Sequence, residues 1–417
     1  SSLPHDRIDV LQFAAQPLIH NPINRNKLRA GQLAFAGTWH QLKYPQRRKN
    51  MEIMLRQAAL YDLTIFDRMS SFSANSPYRY PEEFRPYIAP ALSYREMIQA
   101  YKKYDVFLNV DSVTDSSTMF SRRIFELLAA GTPVISSYAK GIVECFSDVV
   151  MICHTEKDWC EALNCILTNR SVRDRLSLKG QRAVFAQHTY RHRFKQILDM
   201  AGIASLAPEQ SAAVVAFVRN RWNLRSVLNN YLRQSYLNKR LYLFTNRTYW
   251  LGEEKADILR DAHIEVCSMP GWSSANLNCG EILKQLPDVY VFFFSEYDYY
   301  GPEFMTDMMH AIQYSRAEVA GKATYYSYDA GHSEISVRNP NHEYEYYPTI
   351  NPWTMVIDKQ CLMDDLNDVS VQLTPQRLSQ KGYLLYSADR FQYIHNYYAL
   401  KHNADQQSAD FIGQILV

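Results

Sequence analysis

The sequence predicts an α/β protein made of two domains in series, each organised around a largely parallel sheet. Three observations carry this. Short apolar runs alternate with amphipathic ones in both halves of the chain, the spacing of strand–helix–strand units. The stretch 201–210 (AGIASLAPEQ) is small and polar, carries a proline, and follows a helical run, which reads as a linker. A chain of 417 residues is too long for one ordinary core. The expected domains are residues 1–204 and 205–417.

In the first domain, Gln32–Gly37 reads as a strand ending at glycine, Arg48–Ala59 as a helix and Leu63–Phe66 as a short strand. Tyr94–Lys103 reads as a helix, Asp105–Val110 as a buried strand, residues 118–130 as a helix and Pro133–Ser136 as the next strand. The second domain repeats the style without repeating the sequence. Strands are expected at Ala213–Val218, Arg240–Thr245 and Asp288–Phe294, and helices at Leu224–Leu232, Gly252–Ala262 and Glu303–Tyr314. Beyond about residue 323 the pattern gives way to aromatic, mixed segments.

Composition excludes several functions. Lys+Arg (45) nearly cancels Asp+Glu (43) and no basic block occurs, so nothing marks the chain for nucleic acid. The longest apolar runs, Val289–Phe294 and Ala212–Val218, fall far short of the roughly 20 residues of a membrane span. Seven cysteines occur without a C-x-x-C pair, as for reduced thiols in a cytoplasmic protein rather than a zinc site. No signal peptide opens the chain, and its first residue is not Met, the expectation for a piece of something longer.

The most informative segment is residues 109–136, NVDSVTDSSTMFSRRIFELLAAGTPVIS. A strand ends at Val110, a polar loop follows, and Asp115 or Ser116 can cap the next helix. On a helical wheel Phe120, Ile124, Leu127 and Leu128 fall within about 100° of each other. Thr118, Arg122 and Glu126 cluster opposite, a stripe expected to look outward along the cleft at the carboxyl ends of the strands. Open α/β sheets bind ligands there, and a helix start at Ser117–Thr118 suits a diphosphate. Glu126 is placed to accept from a ribose diol and Arg122 to neutralise phosphate. The alternative is a surface ion pair between Arg122 and Glu126, worth a few tenths of a kcal/mol.

These residues, with Ala34–Thr38 (AFAGT), Pro45–Arg48, Ile65–Arg68 and His188–Arg191, resemble the nucleotide-sugar half of GT-B glycosyltransferases, and more narrowly the spore-maturation-type glycosyltransferase-like proteins. The resemblance covers about residues 18–200. It implies binding of a nucleoside-diphosphate sugar, with Gly37 and Thr38 at the turn after the first strand and Arg47 or Arg48 as a phosphate clamp. Glu126 resembles the ribose-binding Glu that ends an E-x7-E motif, whose first Glu is here Thr118. No cofactor is implied for this half. By the same resemblance the chain is expected to begin just where the acceptor half of a GT-B enzyme would end, with that half either trimmed away or its surface supplied from elsewhere.

Residues 212–400 resemble a GT-A, family-2-like glycosyltransferase domain. The matching pieces are Arg219–Arg221, Leu232–Tyr236, Ser295–Pro302 and Ala320–Lys322. The resemblance implies Mn²⁺ or Mg²⁺ held by Glu296 and Asp298, since carboxylates at i and i+2 of an extended segment point the same way. The family's later acidic pair is missing from Val371–Leu378, with Asp364, Asp365 and Asp368 out of register. His395 and His402 lie near the family's terminal His motif.

The function expected is sugar transfer from a nucleoside-diphosphate donor, UDP-linked, to a glycan, lipid-linked glycan or protein acceptor in cell-surface polysaccharide synthesis. Glu126 and Arg122 would serve the first domain, and Asp298 the second. The alternatives are catalysis in the second domain with a divalent metal, and a non-catalytic glycan-binding or scaffolding module. A homo-oligomer is compatible with either.

Overall fold

A computed structural model describes residues 8–27, 29–70, 76–204, 210–245, 263–268, 284, 286–329, 331–332, 334–362 and 374–398. The chain divides into two compact units, Ser1–Leu206 and Ala207–Val417. The expected helix Gly252–Ala262, Asp364, Asp365, Asp368 and His402 lie outside the described residues.

Unit 1 runs β1 (Gly31–Ala36), α1 (Pro45–Ala58), β2 (Leu63–Phe66), β3 (Ile88–Ala89), α2 (Tyr94–Tyr101), β4 (Tyr104–Asn109), α3 (Arg123–Ala129), β5 (Val134–Ser137), α4 (Lys140–Phe146), β6 (Val150–Cys153), α5 (Glu156–Thr168), α6 (Arg170–Gln187) and α7 (Tyr190–Ala201). Its six strands are all parallel, in the order β3-β2-β1-β4-β5-β6. The inner strands are almost wholly buried, as a sheet covered by helices on both faces requires. This is the Rossmann order, and it reverses direction between β1 and β4. Residues 8–27 dock on the helices. Ala15 bridges Thr189, and Lys102 Nζ donates to Asn21 Oδ1 at 3.2 Å and to the Ile23 carbonyl at 3.1 Å.

One boundary departs from expectation and bears on the site. α3 begins at Arg123, not at residue 118. The preceding loop is tied by its own polar side chains. Ser116 Oγ accepts from the Thr118 and Met119 amides at 3.3 and 3.1 Å, and Asp111 Oδ1 accepts from the Ser121 amide at 2.9 Å. Such short polar side chains compete with helix for backbone groups. Gly141 at the start of α4 lets the loop approach closely, since a Cβ there would lie 2.7 Å from the Ser117 carbonyl oxygen.

Unit 2 contains β7 (Ala212–Phe217), α8 (Arg221–Leu232), β8 (Lys239–Thr245), β9 (Ile264–Ser268), β10 (Tyr290–Phe294), β11 (Tyr299–Tyr300), α9 (Phe304–Ser315), β12 (Val319–Gly321), β13 (Tyr325–Asp329), β14 (Glu334–Arg338), β15 (Glu345–Tyr346), β16 (Val356–Asp358), β17 (Leu385–Ser387) and β18 (Tyr393–His395). An eight-stranded mixed sheet runs β15-β17-β12-β16-β10-β7-β8-β9, with β10, β7, β8 and β9 parallel and β16 antiparallel to β10. A second sheet runs β11-β18-β13-β14. Much of the aromatic content goes into packing: Tyr300, Tyr386 and Tyr393 are fully buried, and Tyr300 stacks on Phe294 at 3.9 Å.

Candidate functional site: the crevice between β1 and β4

The strand order places a crevice at the carboxyl ends of β1 and β4, where neighbouring connections leave in opposite directions. Three arginines converge on the turn that follows β1. Arg123, opening α3, donates through Nη1 to the Ala36 carbonyl at 2.6 Å. Arg47, in the first turn of α1, donates through Nη1 to the Thr38 carbonyl at 2.9 Å. Arg68, just past β2, donates through Nε to Thr38 Oγ1 at 2.9 Å. The turn is closed by the Tyr80 hydroxyl, which donates to the Gly37 carbonyl at 3.0 Å.

Burial sets the electrostatics of this corner, and clustered positive charge adds to it. Burial pushes the Arg47 guanidinium below its usual range, against the pull of Tyr80 and Asp111, and Arg123 adds to the depression. His40 is lowered by burial and by Arg47, Arg68 and Lys43. The side-chain atoms His40 Nδ1 and Arg123 Nε are buried with no hydrogen-bond partner. Asp111 is the counter-charge. Burial raises its carboxyl, while hydrogen bonds from Asn109 and the Ser121 amide, then Arg47 and Arg123, act against that rise.

Glu126 lies one turn beyond Arg123. It is 2% exposed, so the outward-facing stripe expected from the wheel is corrected: this carboxylate is turned into the protein. The reason is that α3 is buried almost all round, with α2 supplying donors where the wheel supposed solvent. Oε1 accepts from the Tyr94 hydroxyl and from Arg122 Nε, each at 2.9 Å, and Oε2 from the Tyr101 hydroxyl at 2.9 Å. Tyr101 also faces Arg123, so this buried tyrosine links the carboxylate to the arginine corner. The Arg122–Glu126 pair is neither wholly at the surface nor wholly buried, because Arg122 is 47% exposed.

The remaining expected residues distribute unevenly. Gly37 and Thr38 stand in the crevice turn, and Arg47 reaches it. Arg48 instead bonds the Gln41 carbonyl. Ser117 and Thr118 sit in the loop before α3, partly and fully exposed respectively. Because α3 starts later, they offer no helix terminus to a diphosphate. The residues sequence reasoning missed are Arg123, Arg68, Asp111, Tyr94 and Tyr101. The doublet Arg122–Arg123 was the available signal for the first: adjacent helical residues point about 100° apart, and the crevice takes the second.

In unit 2, Glu296 and Asp298 do not lie on an extended segment. A turn occupies Glu296–Tyr297, and the two carboxylates have separate partners. Glu296 accepts from the Arg219 amide at 3.3 Å and lies 3.6 Å from Arg219 Nε. Asp298 is 0% exposed. It accepts from the Tyr393 hydroxyl at 2.6 Å and from the Asn396 amide at 2.8 Å, with His395 Nδ1 3.0 Å away. Among the described residues no group of three or more His, Cys, Asp or Glu is arranged to hold a metal ion. Both carboxylates as placed are engaged by protein donors, so Mn²⁺ or Mg²⁺ would have to displace Arg219 from Glu296 and Tyr393 or Asn396 from Asp298, and the pair does not fit the ion as it stands.

Residues 47–199 match a protein-family model described as glycosyl transferase-like. No curated protein sequence matches the chain. Similar solved structures include TarS 1-349 of S. aureus in complex with UDP-GlcNAc (14% identity, TM-score 0.33, covering 44% of this chain and 58% of that one). Others are sucrose-phosphate synthase of Thermosynechococcus elongatus (15%, TM-score 0.38, 46% and 52%) and GalNAc-T7 with UDP, GalNAc and Mn²⁺ (11%, TM-score 0.35, 45% and 43%). The chain thus spans less than two thirds of each of these three structures. No described helix is long and apolar enough to cross a membrane. The segment matched by the glycosyl transferase-like family model, residues 47–199, holds Arg47, Arg68, Arg123 and Glu126.

Proposed function

We propose that unit 1 binds a nucleoside-diphosphate sugar, UDP-linked, and supports transfer of its sugar to a glycan, lipid-linked glycan or protein acceptor. The observation that carries this reading is the convergence of Arg47, Arg68 and Arg123 on the turn after β1, at the reversal point of a Rossmann-ordered sheet. Fixed cations there would hold the diphosphate and stabilise the charge that grows on it as the glycosidic bond breaks, without reorganising at the moment of reaction. Glu126, joined to that corner through Tyr101, would take the ribose hydroxyls, and Arg122 would keep its carboxylate oriented. The family match over residues 47–199 supports the same reaction class.

Titration of UDP into the full chain, followed by turnover assays with UDP-, GDP-, CMP- and TDP-sugars with and without Mn²⁺, tests the reading. Expected are UDP binding that does not need Mn²⁺ and a loss of more than about tenfold in affinity in Arg47→Ala. Absence of binding to any nucleotide would instead favour a scaffold that has kept the fold alone.

A further inference from the structure

The ribose reading of Glu126 meets a steric and chemical obstacle in the structure itself. A ribose diol needs carboxylate lone pairs, and here three protein donors already take most of them, two on Oε1 and one on Oε2, so a second ribose hydroxyl finds room only if one of them leaves. One of these is fixed by its surroundings. Tyr101 is 2% exposed, and its hydroxyl is enclosed between Glu126 and Arg123. Arg122, the residue that precedes α3, is half-exposed but carries the charge that pairs with the carboxylate whether or not a ligand is bound. The third is different. Tyr94 opens α2 and is 49% exposed, so its ring can leave without exposing a packed core.

Tyr94 is nevertheless held in place, and the direction of each hydrogen bond can be worked out. The Gln16 amide donates to His20 Nδ1 at 3.0 Å. That nitrogen therefore carries no proton, and in the neutral ring Nε2 does. His20 Nε2 lies 3.0 Å from the Tyr94 oxygen and donates to it. The Tyr94 proton is then free for only one acceptor, Glu126 Oε1 at 2.9 Å. Burial lowers the affinity of His20 for a proton, against the pull of Glu126 and with the push of Arg122 and Lys102, which keeps the ring neutral and the relay intact. The Arg122 guanidinium lies 5.3 Å from the centre of the Tyr94 ring and covers its face.

We propose that the Tyr94 hydroxyl is a stand-in for a ribose hydroxyl on Glu126, held by His20 of the segment before β1, and that a nucleotide must displace it to bind. This rests on the ribose-binding reading of Glu126. Tyr94 is a gating residue: it takes no part in bond making, and its hydrogen bond is exchanged for one from the sugar. The exchange costs the ligand the Tyr94–Glu126 bond, and removing the phenol oxygen removes that cost.

The test is calorimetric titration of UDP and of 2′,3′-dideoxy-UDP into wild-type protein, Tyr94→Phe and Glu126→Ala, with thermal melts to verify folding. The expected result is that Tyr94→Phe binds UDP about tenfold more tightly, the equivalent of one charge-assisted hydrogen bond, and that the gain vanishes with the dideoxy nucleotide. His20→Ala, which loosens Tyr94 without removing its hydroxyl, should give a smaller gain in the same direction. Unchanged or weakened UDP binding in Tyr94→Phe, with binding lost in Glu126→Ala, overturns the gate and leaves the ribose reading standing. Unchanged UDP binding in Glu126→Ala, or no UDP binding by wild type and Tyr94→Phe alike, overturns the ribose reading and the gate together.

Discussion

Arg123, the first residue of α3, donates to the carbonyl of Ala36, the last residue of β1, at 2.6 Å. The bond spans the point where the sheet reverses direction, so one guanidinium both closes the crevice floor and contributes its charge.

Replacing Arg123 by Met should therefore do two things. Ala36 is buried, and its carbonyl would lose a charge-assisted partner, a loss of about 1–3 kcal/mol in urea unfolding. UDP affinity should fall by more than about tenfold in the same protein. Arg123→Lys should restore part of the affinity and little of the stability, because an ammonium lacks the planar fork. Equal UDP affinity in wild type and Arg123→Met would remove this arginine from the binding surface.

Gly131 ends α3 at φ +75°, and a Cβ there would lie 2.9 Å from both Arg25 Nη1 and Gln181 Nε2. Gly131→Ala should destabilise unit 1 by about 1–2 kcal/mol from backbone strain alone, with crowding added. A melting curve indistinguishable from wild type would show that the turn has room to shift.

Acid should weaken unit 1 through histidines whose rings are kept neutral by burial, the half-buried His188 first. His188 is driven from 6.5 to about 4, by burial first and then by Arg193 and His192, and Arg193 Nη2 donates to its Nδ1 at 2.9 Å. In the unfolded chain the ring protonates near its ordinary value, so unfolding takes up a proton between these two pH values. The stability this neutral ring supports is complete above about pH 6.5 and is lost as pH falls toward about 4. His20 is shifted in the same direction. Denaturant midpoints measured from pH 7 to 4 should fall, and His188→Gln, which keeps an acceptor and does not titrate, should flatten the slope. An equal slope in both proteins would assign the acid sensitivity to other groups.

Unit 2 should not respond to Mn²⁺. A metal bound to the native state raises the melting temperature, and the Asp298 carboxylate is already engaged by Tyr393, Asn396 and His395. Millimolar Mn²⁺ should leave unit 2 unfolding in place, while Asp298→Ala, which takes the acceptor from the buried Tyr393 hydroxyl and from the Asn396 amide, should lower unit 2 stability by about 1–3 kcal/mol. A Mn²⁺-dependent upward shift abolished by Asp298→Ala would restore the metal reading.

Much of the architecture was legible in the residues alone. Runs such as Leu63–Phe66, recovered to the residue as β2, and Asp105–Val110, recovered one position early as β4, announce themselves because a strand covered on both faces is mostly apolar. The break near residue 205 was legible for the converse reason, since a small, polar, proline-containing stretch cannot join a core. Local pattern could also name Glu126 and the arginines after Gly37 as the charged residues nearest the strand ends. What the pattern could not supply was direction. Whether α3 begins at 118 or 123 depends on Asp111 reaching forward across ten residues to the Ser121 amide. Whether Glu126 faces water or protein depends on hydroxyls from Tyr94 and Tyr101, 32 and 25 positions away. The separation of Glu296 from Asp298 likewise depends on Arg219 and Tyr393, which approach from opposite directions along the chain. Burial and periodicity are properties of neighbouring residues and survive in one dimension; the partner of a buried charge is chosen by folding, because only the folded chain brings a distant donor within 3 Å.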